Sequence, residues 1–124
     1  MFKVAFGGGA AYTPEFERVF TTIKSHHPIA FLQLGDNIYV DQPEKRAIQR
    51  YCYYRRQSSI PYRSLVSSVS TASIWDDHDF GGDDCWYGDD PDSPDWKRTI
   101  LKTFQENWNN HSYGGGSETP GCYH

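Results

Sequence analysis

Two acidic segments carry the residues able to do chemistry, Gly35-Asp36-Asn37-Ile38-Tyr39 and Trp75-Asp76-Asp77-His78-Asp79-Phe80-Gly81-Gly82-Asp83-Asp84. Carboxylates, an imidazole and a phenol are hard-cation chemistry, since such ions take oxygen donors. In the first segment Gly35 permits a sharp turn. A three-residue offset lets the Asp36 carboxylate and the Tyr39 phenol converge if the chain curls. A carboxylate can bridge two ions, and a phenolate favours a ferric one. The same Gly-Asp-Asn also reads as an ordinary turn. In the second segment the carboxylates of 76–79 repel one another unless a cation or hydrogen bonds compensate. His78 there serves as a ligand, a proton donor or an orienting group. A calcium loop of the EF-hand kind is excluded, because Gly88 falls where its terminal Glu belongs. A solvated acidic loop is the plain alternative.

These segments need elements to hold them. Each follows a short apolar run that reads as a buried strand, residues 29–34 and 72–75. Phe2–Phe6 reads as a further short buried strand, followed by Gly7-Gly8-Gly9, which allows a tight turn. Thr13 and Pro14 signal a helix start, and Phe16, Val19, Phe20 and Ile23 follow helical spacing up to the stop at Pro28. A strand–helix–strand unit of this kind implies parallel strands and a right-handed crossover. A second helix is expected from Pro43 or Glu44 to Arg56, with Ile48, Tyr51, Cys52 and Arg55 on one face. A third spans Pro61–Val69 and presents Leu65, Val66 and Val69. Residues 76–95 read as an acidic loop. Ser93-Pro94-Asp95 starts a last helix with a stripe of Trp96, Ile100, Leu101, Phe104 and Trp108. Glycines at 114–116 and Pro120-Gly121 mark a closing loop. The fold class is α/β, with acidic groups at the carboxyl ends of parallel strands, where open sheets bind ligands.

A chain of 124 residues implies one domain, 1–124, with a modest core. With mean hydropathy −0.74 and 16% aromatics, that core must lean on rings. A net charge of −4 argues against a nucleic-acid-binding module. No apolar run is long enough to span a membrane, and no secretory signal is visible. Cys52, Cys85 and Cys122 lack zinc-knuckle spacing and allow one disulfide at most. Lys45, Arg46, Arg50, Arg55, Arg56 and Arg63 form a basic segment. Arg55 and Arg56 are candidates to bind a substrate phosphate, a role guanidinium forks suit, against the alternative of solvated faces or ion pairs.

The chain resembles the alkaline phosphatase D family. The resemblance rests on Gly35-Asp36-Asn37-Ile38-Tyr39, Tyr51-Cys52-Tyr53-Tyr54-Arg55-Arg56 and Trp75-Asp76-Asp77-His78-Asp79. It extends to Phe6-Gly7-Gly8-Gly9 and Glu106-Asn107-Trp108-Asn109-Asn110, and so covers nearly the whole chain in order. It implies metal-dependent hydrolysis of phosphate mono- or diesters, within an αββα sandwich carrying metals at the strand ends. It also implies an iron and calcium cofactor set, a small phosphate-ester substrate, and an extracellular or periplasmic location. Asp36 matches a bridging aspartate, Tyr39 an iron-binding tyrosine, and Asp83 a ligand of the second metal. His78 and Asp77 would orient ligands or substrate. Two departures stand out. Asp83 occupies a position usually held by Asn, adding negative charge, and the stretch 6–9 carries no iron-binding Cys. The family's remaining ligands come from a C-terminal half, so the chain is expected to be the N-terminal part of such a catalytic domain. A calcium-binding or structural domain without catalysis, or an inactive fragment, is the alternative.

Overall fold

A computed structural model describes residues 1–88, 90, 92–115 and 119–120. Three parallel strands form its sheet in the order β1-β2-β3: β1 (Val4–Gly7), β2 (Ala30–Leu34) and β3 (Ser70–Ile74). Helix α1 (Arg18–Ser25) joins the first two strands, and α2 (Arg46–Ser58) and α3 (Ile60–Val66) join the second pair. A four-residue helix, α4 (Asp77–Phe80), follows β3, and α5 (Lys97–Asn107) follows the acidic stretch. Gly114–Gly115 pairs antiparallel with Thr119–Pro120 as β4 and β5, where the sequence suggested only a loop. The α/β class is therefore as expected. No described helix is long and apolar enough to cross a membrane.

Helix α1 packs on α3, and α2 on α3 and α5, so the helices cover one face of the sheet. That face carries Phe31, Gln33 and Ser73, all buried. The core is aromatic, as the composition required: Phe20 meets Phe31 and Tyr62 edge-on, and Phe104 packs between Trp75 and Trp108. The opposite face holds Val4, Phe6, Leu32, Leu34 and Ile74, which remain 39–72% exposed. Period-2 alternation in β2 divides the two faces. Beyond β3, the side-chain amide of Asn110 pairs with the backbone of the edge strand. It donates Nδ2–H to the Ser73 carbonyl at 2.6 Å and accepts the Ser73 N–H at 2.9 Å, closing that edge.

Three expectations shift. Residues 14–17 form successive turns rather than the first turn of α1, so Pro14 stands outside the helix. Phe16 and Val19 are exposed, leaving Phe20 and Ile23 as its inward residues. On α2 the buried stripe is Gln49, Cys52, Tyr53 and Arg56, not the expected one with Tyr51 and Arg55. Apolarity misled there, because Gln49 and Arg56 are buried with polar partners: Gln49 donates to the Ile100 carbonyl. Residues 76–95 are not all loop, since α4 lies within them.

Gly35 ends β2 with φ +97°, and Asp36 follows at φ 49°, so the chain reverses at once. A Cβ on Gly35 would sit 2.6 Å from that of Asp76. The turn therefore requires glycine for both its dihedral and its space. Gly35→Ala is expected to cost about 2–4 kcal/mol from backbone strain and displacement of residue 76. Urea unfolding of the variant checks this; an unchanged midpoint would show that the turn relaxes freely.

Candidate metal centre

One buried carboxylate joins the two acidic segments. Asp79 is 1% exposed. Its Oδ1 accepts the N–H groups of Asn37 (2.9 Å) and Ile38 (3.0 Å). Its Oδ2 accepts the Asn37 side-chain amide (3.1 Å) and the Asp76 N–H (3.0 Å). The last bond is half of a capping box that starts α4, with Asp76 as N-cap. Burial pushes the Asp79 carboxyl up, to about 7, against the pull of backbone N–H groups of 76, 38 and 37. A proton on either oxygen would evict one of the four donors, so the anion is the form this geometry fits. Val40 N–H to the His78 carbonyl (3.1 Å) adds a further tie. From the other side, Gly9 and Ala10 donate to the carbonyls of Gly35 and Asp36 at 3.3 and 3.1 Å, laying the β1–α1 loop across the turn.

With the loops so held, Asp36, Asp77 and His78 each bring one donor atom within 4.8 Å of the others. Tyr39 Oη donates to Asp36 Oδ2 at 3.4 Å. Asp36 Oδ1 is sealed from solvent and meets no N–H or O–H donor, although the Asp36 and Asp77 carboxyls can share a proton. Burial, then the Asp77 charge, pushes the Asp36 carboxyl above its ordinary value. Burial and the Asp36 charge likewise raise the Tyr39 phenol. Asp77 goes the other way. Burial opposes its charge, but the N–H groups of Asp84 (2.5 Å) and His78 (3.0 Å) hold its carboxyl below the usual range.

His78 is fixed on three sides. Its Nδ1 lies 2.7 Å from Asp41 Oδ1, its Nε2 lies 3.3 Å from Asp83 Oδ1, and its ring lies against that of Tyr39, tilted by 36° with centroids 4.2 Å apart. The hydrogen bond to Asp41 is the main cause of a raised imidazole pKa. Asp83 itself is largely exposed. It groups with Asp77 and Asp84, again within 4.8 Å, rather than with Asp36. Asp77 thus belongs to both clusters, an inner one around Asp36 and an outer one around Asp83.

The arginines divide. Arg56 is 3% exposed, pairs with Glu17 at 2.5 Å, donates to the Ala10 carbonyl and lies against Phe20 and Tyr62. Its guanidinium is spent inside the helical layer, which corrects its assignment to substrate. Arg55 sits 4.6 Å over the Tyr12 ring and 5.7 Å from that of Tyr51, its Nε buried and without a partner. No hydrogen bond or ion pair joins it to the cluster among the described residues. Cys52 and Cys85 are free thiols, both pushed up by burial and so poor nucleophiles at neutral pH. Cys122 and His124 lie outside the described residues.

Two residues that matter here, Asp79 and Asp41, were not among the expected site residues. The Asp76-x-x-Asp79 spacing is a capping-box signal that points to the first. Nothing in the sequence points to Asp41. Comparison with protein-family models, curated proteins and solved structures gives no match.

Asp79→Ala would leave three backbone N–H groups and an amide without an acceptor. Since an orphaned buried donor costs ~1–3 kcal/mol, a loss of about 3–5 kcal/mol after relaxation is expected in urea unfolding. A loss under ~1 kcal/mol would show that the clamp is dispensable. His78 should titrate above its ordinary 6.5 in metal-free protein. A folded value above the unfolded one means that its stabilising contribution is full below about pH 6.5 and fades as pH rises through the folded value. NMR titration of the imidazole checks this: Asp41→Asn should lower the midpoint, and an unmoved midpoint would refute the pairing.

Proposed function

We propose that this chain carries part of the metal site of a phosphate-ester hydrolase of the alkaline phosphatase D kind. The observation that carries the reading is the convergence of Asp36, Asp77 and His78 within 4.8 Å, with Asp36 Oδ1 sealed and without an N–H or O–H donor. A buried carboxylate oxygen without a donor is costly, and a cation is its natural partner. The donor set fits hard ions, calcium and ferric iron among them: carboxylates at Asp36 and Asp77, a phenol at Tyr39, an imidazole at His78. Asp36 would bridge, Tyr39 would bind the more oxidised ion on losing its proton, and Asp83 with Asp77 would hold the second. Ions bound there supply Lewis acidity toward a phosphoryl oxygen.

The protein's own groups then have separable tasks. Asp41 holds the His78 ring in one orientation and favours its protonated form, so His78 can keep a proton at Nε2 facing Asp83 and the substrate side. Asp77, kept ionised by two N–H groups, supplies negative charge to both clusters. Arg55, braced by Tyr12, is the remaining guanidinium for a phosphate oxygen. The open apolar face of the sheet supports the finer fold of an αββα sandwich. Parallel sheets are covered on both sides, and a second sheet layer would bury Phe6, Leu32, Leu34 and Ile74.

The donors that the described residues bring together are fewer than two ions coordinate, so slow turnover is expected from this chain by itself. Metal binding is the sharper test. Calorimetry with manganese or calcium should show binding that Asp36→Asn weakens at least about tenfold, a loss of ~1.4 kcal/mol from one bridging anion. Any hydrolysis of an aryl phosphate should vanish in the same variant. Equal metal binding by wild type and Asp36→Asn would sink the reading.

A further inference from the structure

The segment after the outer cluster is pinned at both ends, yet it leaves one large ring in solvent. On the near side, Asp84 N–H is bonded to Asp77 Oδ2 at 2.5 Å. Cys85 N–H reaches the Gly82 carbonyl at 3.0 Å, Gly82 N–H reaches the Cys85 sulfur at 3.2 Å, and that sulfur lies 3.6 Å from the Asp77 carbonyl. On the far side, the Tyr87 ring packs edge-on against Phe80 (5.9 Å) and Trp96 (5.0 Å). Lys97 Nζ then caps the carbonyls of Gly88 (2.6 Å) and Asp90 (2.8 Å). Between these anchors Trp86 is 79% exposed and meets no ring, ion or hydrogen-bond partner among the described residues.

A mobile loop exposes its side chains by default. This one is held, and its largest apolar surface is still left to water. Trp86 is two residues, no more than ~7.6 Å of chain, from Asp84, whose N–H binds the shared carboxylate Asp77. We propose that Trp86 is a stacking platform for a flat aromatic group on the phosphate ester, making aryl-type esters the preferred substrates. This rests on the metal-site reading above. An indole is the strongest such platform, and it accepts any flat ring without a hydrogen-bond code. Asp83, Asp84 and Asp90, all exposed, lie within four residues of it in sequence, so a second anionic group is disfavoured there and an uncharged ring is favoured.

The test is calorimetric titration of manganese-loaded protein with phenyl phosphate and with methyl phosphate. Wild type should bind phenyl phosphate about tenfold more tightly, within the ~5–150-fold that stacking of one ring confers. Trp86→Ala should bring phenyl phosphate to the methyl phosphate level while leaving methyl phosphate unchanged, and Trp86→Phe should keep part of the preference. Equal affinities in wild type, or a preference that survives in Trp86→Ala, would overturn the proposal while the metal site stands. A protein that takes up manganese but binds neither ester would overturn the platform together with the phosphate-ester reading. Failure to take up manganese at all would overturn the metal site first.

Discussion

Everything at the strand ends depends on one buried anion. Asp79 receives four donors from residues 37, 38 and 76, which belong to loops following two different strands. Hydrogen bonds to an ionised acceptor are roughly twice as strong as neutral ones, and inside the protein they are poorly screened. A neutral residue of the same size would link the loops far more weakly. The clamp also sets direction. With the backbone of 37–38 drawn toward Asp79, the Asp36 side chain is left to face Asp77 and His78, and the Tyr39 ring to lie on His78.

That arrangement concentrates charge that the clamp does not neutralise. Asp79 is satisfied by N–H groups, and Asp77 nearly so, but Asp36 faces both with one oxygen that meets no N–H or O–H donor. Burial first, and then the Asp77 charge, raise its pKa, so the neutral form is favoured there. A metal ion would take the proton's place and reverse the shift. The fold thus spends four hydrogen bonds on the carboxylate that organises the loops, and only the long Tyr39 contact on Asp36.

How much of this was legible varies by physical cause. The strand positions and α5 were readable because apolar runs are a local signal, but the burial expected of Phe2–Phe6 fails, since no residue of β1 is buried; Ile100, Leu101, Phe104 and Trp108 are buried where the stripe put them. The stripe on α2 was misread, since Gln49 and Arg56 are interior by virtue of partners distant in sequence: Ile100 for one, Glu17 and Ala10 for the other. No local pattern encodes a partner that far away. Asp36, Tyr39, Asp77 and His78 were visible as types and spacing, and the structure gathers them. Asp83 was placed with them but belongs to the outer cluster. The inner role of Asp79 looked like one more charge in an acidic run, because burial cannot be read from a run of like residues.

The apolar face of the sheet bears on why the site is shaped as it is. Right-handed crossovers between strands in the order 1-2-3 send α1, α2 and α3 to the same side, so the connections themselves cannot cover the other face. A sheet wound to both sides would place its site at the point where the strand order reverses. This one has no reversal among the described strands. The loops must therefore bend over the strand ends under their own hydrogen bonds, and here the Asp79 clamp, the left-handed Gly35-Asp36 pair and the Gly9-Ala10 bonds do that work. The same one-sided winding leaves Val4, Phe6, Leu32, Leu34 and Ile74 as a flat, uncharged surface directly beneath the acidic rim. A layer that buried this surface would stand beside the rim as well.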